Sequence, residues 1–152
     1  MTQLSTHFSL AEMTRSSAAD RLGDANDPTP AHLANLKVTA AGLEQVRDLF
    51  GGLAVTVLSG YRNPRVNKAV GGVPNSDHAQ GFAADITVTG VSAYQVALRL
   101  QAAVRSSRIN VDQVIYEKSR GIVHVSFAPR MRGQVLTQAG GPGTACVQGV
   151  IK

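Results

Sequence analysis

The sequence holds a single cysteine, Cys146, so no disulfide forms within the chain and a cystine-stapled scaffold is excluded. Tryptophan is absent, and four Phe and three Tyr are too few to interleave with basic residues as nucleic-acid-binding surfaces require. No apolar run approaches the roughly 18 residues of a membrane span. The hydrophobic share, 43%, is too high for a wholly disordered chain. Lys and Arg outnumber Asp and Glu by 15 to 10, yet they occur singly from Arg15 to Lys152 and never as a run. That balance gives a solvated surface with a general attraction to polyanions: nucleic acid, anionic lipid or anionic cell-wall polymers. Without a basic patch, no nucleic-acid partner and no membrane insertion are expected. The segment Met1–His7 has neither a basic stretch nor an apolar one, so no signal peptide is read there. Synthesis in the cytoplasm is expected, with any outside action following release.

What is present fills one domain of 152 residues. Ser9-Leu10-Ala11-Glu12 is a capping box and predicts a short helix over 10–15. The polar stretch 16–29 reads as loop. Thr29-Pro30 opens a long helix whose apolar face runs through Leu33, Leu36, Ala40, Leu43, Val46 and Phe50, and Gly51-Gly52 ends it. Strands are predicted at Leu53–Leu58, Phe82–Val88, Val111–Tyr116 and Ile122–Phe127, with a helix from Ser92 to Ser106. Residues 63–82 form a long Gly-, Asn- and Pro-rich loop with a helical turn near Arg65–Ala69, and loops of that length tend to be functional. The domain is expected over 1–137, with 138–152 an extended tail.

Four histidines divide into two kinds. His7 precedes a helix and His32 lies in a first turn, both solvated positions. His78 ends the long loop, and His124 sits inside a strand, as does Asp85 in an otherwise apolar run. A carboxylate there needs a partner. Alternation along 122–127 sends Val123, Val125 and Phe127 to the core and Ile122, His124 and Ser126 to the other face. A two-residue turn at Arg120-Gly121 would set Glu117 directly opposite His124. Two imidazoles and a carboxylate make a three-ligand zinc site with the fourth position open to water, and Glu117 would stand ready to take that water's proton. Spacing alone leaves a second possibility, in which the same three residues are hydrogen-bonded polar groups at strand ends.

The motif Ser76-x-His78-x-x-Gly81-x-Ala83-x-Asp85 resembles the signature of zinc D-alanyl-D-alanine peptidases. That superfamily includes carboxypeptidases, dipeptidases and phage L-alanyl-D-glutamate endolysins, and it shares its fold with hedgehog signalling domains. Ser59-Gly60-Tyr61-Arg62-Asn63-Pro64 and Val123-His124-Val125-Ser126 resemble its other two segments, and Phe8–Met13 with Asn35-Leu36 resembles a short single-domain phage branch. The resemblance implies an α+β fold: a small antiparallel sheet, helices on one face and a zinc cleft on the other. It implies one zinc per chain on His78, Asp85 and His124, with Arg62 and Ser76 binding substrate. The implied activity is hydrolysis of peptidoglycan stem peptides by a phage or prophage lysis enzyme, either released to the wall or carried in a virion. The alternative is an inactive, metal-bearing wall-binding module. Many members carry an acid three positions before the last histidine, where this chain has Gly121. Glu117 is therefore the expected base, Asp112 the reserve, and Asp77 a residue that orients a ligand.

Overall fold

The computed structural model describes residues 2–152. Six strands form one sheet: β1 (Val55–Ser59), β2 (Ala83–Val88), β3 (Gln113–Glu117), β4 (Ile122–Ser126), β5 (Gln134–Gln138) and β6 (Cys146–Gln148), in the spatial order β1-β2-β4-β3-β5-β6. Six helices accompany it: α1 (Leu10–Thr14), α2 (Ser17–Leu22), α3 (Pro30–Leu49), α4 (Pro64–Ala69), α5 (Asp77–Gln80) and α6 (Ala93–Arg105).

The long helices cover one face of the sheet. Leu36, Ala40, Leu43 and Val46 of α3 and Val96, Ala97 and Leu100 of α6 are fully buried against Val57, Ile86, Val114, Val123 and Val125. Each such Leu, Ile or Val contributes about 1.5–3 kcal/mol of transfer free energy. Thr29 caps α3 by accepting the His32 amide, and Ser92 caps α6 by accepting the Gln95 amide. Gly42 lets α3 close on the sheet, since a Cβ there would run into the Phe127 ring.

The structure changes the expected architecture in several places. The sheet is mixed rather than antiparallel, because β5 runs parallel to β3. The chain leaves β4, passes β3 and docks on its far side, which supplies a partner for the backbone groups of Gln113–Glu117. Residues 146–148 pair with β5 as an edge strand, so the sheet continues past the expected boundary at 137. Residues 17–22 are helical, not loop: Ser16 accepts the Ala19 amide and Gly23 closes the helix in the left-handed region. Within the long loop a second unexpected helix, α5, is capped by Ser76 and ended by Gly81 at φ +85°. The short helices α2 and α5 border the cleft, so helices are not confined to one face.

Candidate metal centre

The three candidate ligands arrive from three elements. Asp85 lies on β2 directly across from His124 on β4. His78 is carried by α5, which the tight left-handed exit at Gly81 delivers straight into β2. One ligand atom from each of the three lies within 4.8 Å of the others. Asp85 Oδ1 is 3.2 Å from His78 Nε2 and 3.1 Å from His124 Nδ1, and the rings stand 5.1 Å apart, edge to face.

The hydrogen bonding around this cluster suits a cation. His78 Nδ1 donates to the Gly60 carbonyl at 2.8 Å, which places its proton on that nitrogen. Burial lowers the His78 pKa, so the ring is neutral and Nε2 carries a lone pair. That lone pair faces a carboxylate oxygen: two acceptors aimed at each other, which a positive ion between them reconciles. Burial works against the charge of Asp85, yet positive charge on the imidazole side of the site outweighs it and holds the carboxyl well below the usual carboxylate range. Two imidazole nitrogens and one carboxylate oxygen form a donor set that suits zinc, leaving a position open.

Glu117 shares the face of His124, but by a different register from the expected one. The loop between β3 and β4 is four residues, Lys118–Gly121, with Glu117 paired to Ile122 and Ile115 opposite His124. The shift is two residues, so the parity holds and Glu117 remains on the metal face as a diagonal neighbour. Its Oε1 accepts from Arg120 Nη1 at 3.0 Å, and the same nitrogen lies 3.6 Å from Asp85 Oδ2. The sequence marks Arg120 only as a turn residue. A long basic side chain in a turn carries no signal of where it reaches.

The other expected residues fall in and around a cleft of about 760 Å³. Arg62 lines it, with Nε donating to Asn67 Oδ1 at 3.1 Å and no hydrogen bond from its terminal nitrogens among the described residues. Burial lowers its pKa, and the guanidinium stays cationic. The Ser76 hydroxyl is engaged locally: it accepts the Ala79 amide and donates to Asn67 Oδ1. Asp77 touches no ligand side chain. Its carboxylate takes Arg130 at 2.6 and 2.7 Å and the Ser126 hydroxyl at 2.6 Å. Asp112 stands outside the cleft, buried and held by Arg130 and Arg132, so the reserve base is a structural anchor. Among the expected solvated histidines, His7 pairs with Glu44 and His32 with the Tyr61 hydroxyl. The scattered basic residues of the sequence converge here: Arg15, Arg21, Arg62, Arg120, Arg130 and Arg132 all line the cleft.

The Peptidase M15 family model matches residues 6–126, which span all three ligands and Glu117. The chain belongs to the peptidase M15 family. No curated protein matches it. The family match and the His–Asp–His triad agree with the sequence motif, and this M15 chain is a metallopeptidase whose family acts on peptidoglycan-type substrates.

Proposed function

We propose that this M15 peptidase binds one zinc ion through His78 Nε2, Asp85 Oδ1 and His124 Nδ1 and hydrolyses peptide bonds of peptidoglycan stem peptides. The observation that carries the proposal is the convergence of two imidazole nitrogens and a carboxylate oxygen in an open cleft with a second carboxylate, Glu117, on the same face. Zinc in such a site acts as a Lewis acid and brings the pKa of water towards ~7.

The chain's own residues supply the rest. Glu117 accepts the proton of the attacking water and returns it to the leaving amine. Arg62, half-free and facing the cleft, suits a substrate carboxylate or carbonyl through its two unengaged nitrogens. The remaining cleft arginines concentrate an anionic peptide near the metal face. The bond is of the D-Ala-D-Ala or L-Ala-D-Glu type, and the protein reaches its substrate after release from the cytoplasm or as part of a virion.

The test is paired. Glu117→Gln should keep one zinc per chain and lose a proton acceptor worth about 10²–10⁴-fold in kcat on purified sacculi. Asp112→Asn should retain turnover once folded, because its carboxylate faces Arg130 and Arg132 rather than the cleft. An inactive Asp112→Asn protein beside an active Glu117→Gln protein would overturn the assignment. Sacculi that bind the wild-type protein without being cut would make it a metal-bearing wall-binding module.

A further inference from the structure

The turn residue Arg120 joins two carboxylates that belong to different tasks. Its Nη1 lies 3.0 Å from Glu117 Oε1 and 3.6 Å from Asp85 Oδ2. The two oxygens of Asp85 are thereby divided. Oδ1 faces both imidazole nitrogens, and Oδ2 faces the guanidinium. The Asp85 side chain is almost fully buried, whereas that of Arg120 is 41% exposed, so the arginine closes the site from the solvent side. The turn makes this reach possible. Arg120 and Gly121 both donate their amides to the Glu117 carbonyl, and Gly121 adopts φ +64°, which folds the turn back over the sheet face.

We infer that Arg120 is a positioning residue: it restricts Asp85 to one-oxygen ligation through Oδ1 and aims Glu117 at the open coordination position. A carboxylate free at both oxygens swings readily to two-oxygen binding, which fills the position that water needs. An arginine on Oδ2 competes for that second oxygen. The same guanidinium fixes a glutamate that would otherwise explore several rotamers from a site diagonal to His124. The inference rests on the proposed zinc site and base, and adds a residue that neither the motif nor the family's acidic position supplies. Partners that orient metal ligands change metal affinity or activity by about 10–100-fold when removed.

Two measurements on the whole protein separate this inference from the function it rests on. In the first, cobalt(II) replaces zinc, and its visible absorption reports coordination number without any turnover. Wild-type protein should give the intense four-coordinate spectrum. Arg120→Ala should lose intensity as Asp85 adds its second oxygen, and Arg120→Lys, which keeps a cation near Oδ2, should restore much of it. Identical spectra in all three proteins would overturn the ligation half.

In the second, kcat and KM on a stem peptide are measured for Arg120→Ala, Glu117→Gln and the double variant. Arg120→Ala should lower kcat about 10–100-fold with KM little changed, and the double variant should be no slower than Glu117→Gln alone. Losses that simply multiply, or an unchanged kcat in Arg120→Ala, would overturn the positioning half. Should Arg120→Ala fold poorly by circular dichroism, Arg120→Gln takes its place in both arms. Absence of turnover in the wild type would overturn the proposed function while the cobalt spectra still decide the role of Arg120.

Discussion

Replacing Asp112 with Asn isolates one buried charge cluster at the edge of the cleft. The Asp112 carboxylate is fully buried and takes Arg130 at 3.0 Å, Arg132 at 2.9 and 3.0 Å and the Arg132 amide at 3.2 Å. Burial opposes its charge, but the bonds from Arg132 and Arg130 prevail and bring its pKa down to about 2, from an ordinary 3.8. At about 1.36 kcal/mol per unit, that depression corresponds to about 2.5 kcal/mol of stability at neutral pH. A depressed carboxyl contributes fully above its unfolded pKa and loses its contribution as pH falls towards the folded one. The gap between wild type and Asp112→Asn should therefore be about 2.5 kcal/mol at pH 7 and roughly half that at pH 3. At about 2–4 °C per kcal/mol for a chain of this size, the neutral-pH variant should melt about 5–10 °C lower. The assay is urea or thermal unfolding of both proteins with the metal chelated, so that binding does not shift the curves. Taking the difference between variants removes the titration of the other carboxylates. A gap under about 0.5 kcal/mol at pH 7, the range of a neutral surface substitution, would refute the reasoning. So would a gap that stays constant down to pH 3.

Two further substitutions probe the edges of the site. Arg62→Lys keeps the charge but loses the planar fork, and removing one charge-assisted hydrogen bond should cost about 10–100-fold in kcat/KM with the metal retained; unchanged kinetics would return Arg62 to a structural role. In Gly60→Ala, the added Cβ meets the Met13 carbonyl and displaces the Gly60 carbonyl that fixes the His78 tautomer; metal affinity, measured by chelator competition, should fall about 10–100-fold, and an unchanged value would deny that carbonyl its orienting task.

The metal face was readable in the sequence because its signals are local. Asp85 in an apolar strand and His124 on the polar parity of the next strand are periodic facts, and the motif around His78 supplied the third ligand. Glu117 shares the face of His124 in spite of a different register: the turn has four residues instead of two, and an even shift preserves which side each residue faces. The helices α2 and α5 were missed although each had its own cap signals, Ser16 with Gly23 and Ser76 with Gly81. One turn or two of helix gives too little periodicity to stand out from a polar stretch. The parallel pairing of β5 and the docking of β6 depend on contacts between segments with no pattern of their own. Asp112 looked like a spare base because its partners, Arg130 and Arg132, lie 18 and 20 residues away across a loop. Arg120 looked like a turn residue because only the folded sheet brings Asp85 and Glu117 within its reach.

Mass spectrometry of purified sacculi incubated with the protein tests the central claim most directly, with zinc counted by elemental analysis on the same preparation. The account predicts one zinc per chain and release of stem-peptide fragments whose masses name the bond cut, with both lost on chelation and in His78→Ala and His124→Ala. A preparation holding one zinc per chain that leaves every peptide mass unchanged would contradict the peptidase account, and undiminished zinc in both histidine variants would contradict the site.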